Sequence, residues 1–175
     1  FIVKDFTAEG RLHFLGDHSP AQVEKRLAGD FRFYLAEDGQ KLAGVGAMRS
    51  NTHLYYLFVA KPYQRRGLAR HLWSQMKAES LALGQPDKFT VNASNYAVHA
   101  YEKLGFRRSQ PPKELNGVIY NPMEFMVDGF LDGGVVHARA RDLDGRVALK
   151  IDSADIPHKT EAGVIRLNLN TADAV

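Results

Sequence analysis

Residues 54–59 read Leu-Tyr-Tyr-Leu-Phe-Val, a nearly continuous apolar run. It fits a central strand covered on both faces. The polar stretch Lys61-Pro62-Tyr63-Gln64-Arg65-Arg66-Gly67 follows. Past the glycine, apolar residues fall at Leu68, Leu72, Trp73, Met76 and Leu83, the spacing of one helix face, with Gly84 as the expected stop. Upstream, residues 1–6 predict a short opening strand. Ser19-Pro20 predicts a helix start, with Ser19 able to cap and Pro20 at the first helical position, where its missing N–H costs nothing. That helix runs through Val23 and Leu27 and stops at Gly29. Residues 31–36 and 42–48 predict two strands joined at Asp38-Gly39, and Ser50-Asn51-Thr52 forms the next turn. Downstream come a strand at 89–91, a helix at 96–104 stopped by Gly105, and strands at 118–120 and 123–127 after an Asn116-Gly117 turn.

This order joins an antiparallel hairpin to a parallel strand–helix–strand crossover, which predicts an α+β fold: a mixed central sheet flanked by helices. A chain of 175 residues, 45% hydrophobic and 25% charged, can bury a core without staples. No apolar run approaches the roughly 20 residues of a membrane span, and no export signal is visible. The absence of cysteine excludes disulfides, thiolate metal sites and a cysteine nucleophile, and suits a cytoplasmic location. A net charge of +3 is mild, and only residues 61–70 are locally basic. That points to a small phosphorylated ligand rather than nucleic acid.

The loop after residues 54–59 makes the ligand concrete. A strand feeding a glycine turn into a helix leaves the N–H groups of the first helical turn unpaired, and the helix dipole favours an anion there. Gly67 and Ala69 are small enough for a phosphate to approach the backbone, and Arg65, Arg66 and Arg70 add charge. A basic first turn arising by chance is the plainer reading, but basic residues at a helix start oppose the dipole. Neither a Walker loop nor Gly-x-Gly-x-x-Gly occurs.

Gln64-Arg65-Arg66-Gly67-Leu68-Ala69 resembles the Gln/Arg-x-x-Gly-x-Gly/Ala signature of the GNAT acyltransferases. Residues 97–106, ending Tyr-Glu-Lys-Leu-Gly-Phe, are similar to that family's second helix and its exit. The resemblance covers about residues 1–127. It implies a GNAT-like fold that takes acetyl-CoA as cosubstrate and acylates a small-molecule or peptide amine. It implies that Gln64, Arg65, Arg66, Gly67, Leu68, Ala69 and Arg70 hold the pyrophosphate. Backbone groups of Phe58 and Val59 would pair with the pantetheine as an added strand would. Where the family often has an asparagine on the pantetheine arm this chain has Ser94, with Asn92 nearby as a further donor.

Tyr101 matches the tyrosine that the family places near the sulfur as general acid, and a phenol suits a departing thiolate. A core tyrosine is the alternative. His53 stands where several members carry a glutamate base, and histidine can take a proton near neutral pH. An exposed turn histidine, with proton removal through water, is the competing route. No metal is expected, and a homodimer is left open.

After residue 127 the character changes. Asp132-Gly133-Gly134 marks a break, residues 147–152 and 164–169 read as strands, and residues 155–163 form a polar loop. This part resembles the ATP-grasp region of ADP-forming acyl-CoA synthetases, in which Lys150 would bind nucleotide and His158 relay phosphoryl groups. The expected division is an acetyltransferase domain at 1–129 and a β-rich extension at 130–175. The alternatives to a free-standing acetyltransferase are a fragment of a larger acyl-CoA synthetase and a non-catalytic acyl-CoA sensor.

Overall fold

Helices α1 (Ala8–Asp17) and α2 (Pro20–Leu27) precede three antiparallel strands, β1 (Phe31–Asp38), β2 (Lys41–Arg49) and β3 (His53–Val59). A single 3-10 turn (Lys61–Tyr63) leads into α3 (Leu68–Gly84), followed by β4 (Lys88–Ala93), α4 (Val98–Lys103), β5 (Arg107–Arg108), β6 (Lys113–Leu115), β7 (Val118–Met126) and β8 (Val164–Asn168). The computed structural model describes residues 3–127 and the backbone of residues 164–168. The strands form one sheet in the order β5-β7-β4-β3-β2-β1-β8, with β6 paired to β7. The expected mixed α+β architecture is what is observed.

Each face of the sheet carries its own apolar cluster. Leu68, Leu72, Trp73 and Met76 of α3 and Val98 and Tyr101 of α4 join Leu54, Phe89, Val91 and Phe106 on one face. Trp73 stands edge-on to Phe89 and Phe125 with centroids 5.2 and 5.6 Å apart. Burying each such side chain stabilises by about 1.5–3 kcal/mol. Gly46 lets α3 lie close to β2, because a Cβ there would meet Met76 at 2.8 Å. The other face packs Val23 and Leu27 of α2 on Phe33, Ala47 and Tyr56.

Several sequence expectations change. Residues 3–6 turn rather than form a strand, and α1 follows them. Periodicity does not announce α1, since Leu12 and Leu15 are exposed and only Gly10 is buried. The helix is held by the Thr7 hydroxyl, which accepts the Gly10 N–H at 3.0 Å, and by backbone contact with the β6–β7 turn. A Cβ on Gly10 would fall 2.1 Å from the Gly117 carbonyl oxygen. Pro20 opens α2 as expected, but the Ser19 side chain makes no cap. Helix α3 ends at Gly84, with Gln85, at φ 44°, rather than the glycine taking the left-handed cap position. Helix α4 starts at Val98, after the Ser94 carbonyl accepts the Ala97 and Val98 N–H groups.

Strand β7 runs unbroken through Pro122. The Val127 N–H donates to Asp87, so alternation along the antiparallel ladder turns the Pro122 backbone away from β4. The missing N–H therefore breaks no bond to β4. The Asn116-Gly117 turn is present, at φ 51° and 72°. Strand β8 lies parallel to β1, from Phe33–Val164 to Glu37–Asn168. The expected strand at 147–152, the loop with His158, and Lys150 lie outside the described residues.

Candidate active site

The sheet opens where β3 and β4 part. These parallel strands pair only at His53–Thr90 and Leu54–Val91. Beyond that, β3 stays bonded to β2 and β4 to β7, so each keeps one row of peptide groups facing the gap. The Ala60 N–H reaches the Ala43 carbonyl at 2.9 Å. Alternation then turns the Leu57 and Val59 backbones into the gap and the Phe58 backbone onto β2. Of the two backbones expected beside a pantetheine, Val59 faces the gap and Phe58 faces β2; Leu57 faces the gap as well. Across the gap, the Thr90 N–H bonds Thr52 on the β3 side at 2.9 Å, so Asn92, two residues on, also turns its peptide groups toward β3. Ser94 spends its carbonyl on α4.

Past the free end of β3 the chain enters α3, whose Leu68 and Leu72 lie against Gly44, the β2 partner of Val59. The first internal bond of α3 runs from the His71 N–H to the Gly67 carbonyl at 3.0 Å, and no side chain caps it. The N–H groups of Leu68, Ala69 and Arg70 are thus left at an open, positively polarised helix end. Gly67 takes φ 83° and a Cβ there would meet nothing within 4 Å. Arg65, at φ 63°, and Arg66 and Arg70 are exposed around it. Gln64 serves the loop instead, donating from Nε2 to the Val59 carbonyl at 3.0 Å. It ties the end of β3 to the turn.

Tyr101 lies in the same buried cluster as Ala93, with Leu57 and Val59 packed against it. It is 9% exposed, and its hydroxyl makes no hydrogen bond among the described residues. Burial raises the phenol pKa above its usual value, so it stays protonated across the neutral range.

His53 does not fit the role of base. It lies inside β3 at the paired end of β3 and β4, with Nδ1 2.7 Å from Thr90 Oγ1. Burial first, and Arg49 second, push its pKa down to about 4, too low to draw a proton from an ammonium. The unfolded chain takes up this proton near the ordinary histidine pKa of 6.5 and the folded chain only near 4. Stability therefore falls as pH drops through that window, by at most about 3 kcal/mol. His53→Gln is expected to flatten the fall of Tm between about pH 7 and 4, and to leave the pH profile of any turnover unchanged near neutrality. A lost alkaline plateau in the variant's rate would restore the base.

Two polar clusters beside the gap escaped sequence reading. Buried Asn121 donates to the Ala93 carbonyl at 3.2 Å and to Asn95 Oδ1 at 2.8 Å, and accepts from Arg108 at 3.1 Å. On the opposite face, buried Arg26 meets Asp17, Tyr55 and Tyr56. Neither forms a local motif, because each joins residues far apart in the chain. Among the described residues, no three His, Cys, Asp or Glu are grouped to hold a metal. No described helix is long and apolar enough to cross a membrane.

Residues 2–127 match the family profile of the acetyltransferase (GNAT) domain, and residues 134–175 that of the ATP-grasp domain. The fold is similar to a GCN5-related N-acetyltransferase from Rhodopseudomonas palustris, at 20% identity and TM-score 0.61, over 71% of this chain and 79% of that one. It is also similar to the PaiA N-acetyltransferase of Thermoplasma acidophilum, solved with coenzyme A, at 14% identity and TM-score 0.52, over 70% and 80% of the two chains. Among curated proteins there is no match.

Proposed function

The chain belongs to the GNAT acetyltransferase family, and on that premise we propose that it moves an acetyl group from acetyl-CoA directly to a primary amine. One observation carries the reading: β3, which borders the gap, leads past its free end into the uncapped start of α3. An extended arm with inward-facing amides and a diphosphate at its end matches both parts at once. Leu57, the Val59 N–H and Asn92 supply strand-like partners to the arm. The Gly67–Arg70 turn holds the diphosphate, with Arg65 and Arg66 adding charge.

The amine nitrogen attacks the thioester carbonyl carbon. The C–N bond forms as the C–S bond breaks, the thiolate takes the Tyr101 proton, the proton still carried by the acylated nitrogen passes to water, and water returns one to the Tyr101 phenolate. The ammonium proton leaves beforehand through water held by the gap's carbonyls, which is the route left once His53 is set aside. The test is coenzyme A titration followed by release of free thiol across a panel of amines, amino acids and peptides. Saturable binding with thiol release for one amine class is expected; no binding at millimolar coenzyme A would sink the reading. The ATP-grasp match at residues 134–175 favours a second reading, in which this acyltransferase is one part of an acyl-CoA synthetase. A coding sequence that continues past Val175 into further ATP-grasp sequence would support it.

A further inference from the structure

The opening between β3 and β4 has a visible cause. Along β2 and β3 the partners run Ala47–Tyr56 and then Met48–Leu54, so Tyr55 is an extra residue in β3. Such a bulge bends its strand and increases the twist. It falls directly after Leu54–Val91, the last pair joining β3 to β4. It also lets the consecutive Tyr55 and Tyr56 turn to one face, where a regular strand would send them to opposite faces.

Arg26 of α2 meets both. It is 8% exposed, and its guanidinium donates to the Tyr55 hydroxyl at 3.1 Å and the Tyr56 hydroxyl at 2.8 Å. Its carbon sits 5.0 and 5.7 Å from the two ring centroids. Asp17, at the end of α1, completes the set. Its Oδ1 accepts from Arg26 at 2.6 Å, its backbone carbonyl accepts from the same guanidinium, and its Oδ2 accepts from Tyr55 at 3.1 Å. Net stability is a weak account of the cluster: the desolvation of Arg26 offsets much of the ion pair, and the Asp17 side chain stays 36% exposed, where such a pair contributes little. Geometry is a better one, because charged hydrogen bonds from one planar group fix two rings at once.

We propose that Arg26 is a positioning residue: with Asp17 it locks the Tyr55–Tyr56 bulge and so sets the angle at which β3 leaves β4, and with it the width of the slot for the acyl-CoA arm. The inference rests on the acyltransferase reading. It makes helices α1 and α2 the support of a cofactor slot whose inward backbone groups they do not themselves supply.

The test compares Tyr55→Phe, Arg26→Gln and Arg26→Lys with Tyr34→Phe, which removes a buried hydroxyl bonded to Glu79 instead. Tyr55→Phe and Arg26→Gln are expected to raise KM for acetyl-CoA about five- to tenfold, a loss of about 1–1.4 kcal/mol in binding. Arg26→Lys should recover part of it, and Tyr34→Phe should leave KM unchanged. A purely structural cluster would lower Tm and the active fraction, hence apparent kcat, without moving KM. Unchanged KM in Tyr55→Phe, the variant least disturbing to folding, would overturn the inference while coenzyme A still binds. Loss of binding in the unsubstituted chain would overturn the acyltransferase reading, and this inference with it.

Discussion

Tyr101→Phe is expected to lower kcat by about a hundredfold or more while leaving coenzyme A affinity within about twofold. The substitution isolates one proton. The ring is buried against Phe106, with centroids 5.6 Å apart, and phenylalanine keeps that packing. The hydroxyl bonds nothing among the described residues, so its removal breaks no bond among them. An amine can expel a thiolate only if something protonates the sulfur or bears its charge. Burial raises the Tyr101 pKa, so the phenol keeps its proton near neutral pH and has one to donate as the thiolate departs. Pre-steady-state thiol release, with coenzyme A titrated separately, measures the two effects independently. Unaltered kcat would leave Tyr101 as a core tyrosine and remove the acid from the mechanism.

Gly67→Val is expected to weaken coenzyme A binding about ten- to a hundredfold with only a small loss of Tm. Space is not the reason, since a Cβ there would meet nothing within 4 Å. The backbone is. At φ 83° an L-residue is strained by about 1–2 kcal/mol, and a β-branched one by more. Relief requires φ to turn negative, which swings the peptide leading into α3 and scatters the N–H groups of Leu68, Ala69 and Arg70. Each 1.4 kcal/mol lost in binding is a factor of ten. Gly67→Ala should fall between the two. Full affinity in the valine variant, by calorimetric titration, would mean that the diphosphate is held elsewhere.

These predictions draw unequally on the sequence. Gly67, and the helix it opens, are legible because their signals are local: an apolar run, a polar turn with one glycine, then apolar residues at helical spacing. Tyr101 is placed by a second local pattern ending in Leu104-Gly105-Phe106. That the Phe58 backbone faces β2 and not the gap depends on one fact outside the local pattern, the ladder alternation set by Ala60 and Ala43. Periodicity locates a strand but does not say which peptide groups face which neighbour. His53 reads as a candidate base or an exposed turn histidine, because burial between β2 and β4 cannot be seen from its flanking residues. α1 goes unread for the opposite reason: it buries a glycine where a helix face should show leucine.

The chain's own order of residues determined the α+β sheet, the central crossover and the anion-ready start of α3, since each is written in spacings within about twenty residues; Tyr101 as candidate acid came with the family resemblance. Tertiary structure alone decided that β3 and β4 separate after one shared stretch, that Tyr55 bulges there, and that Asp17, Arg26, Tyr55 and Tyr56 meet around it. The physical reason is range. A turn or a helix face is selected by neighbours, whereas the opening of a sheet is a balance among strands and helices brought together only by folding.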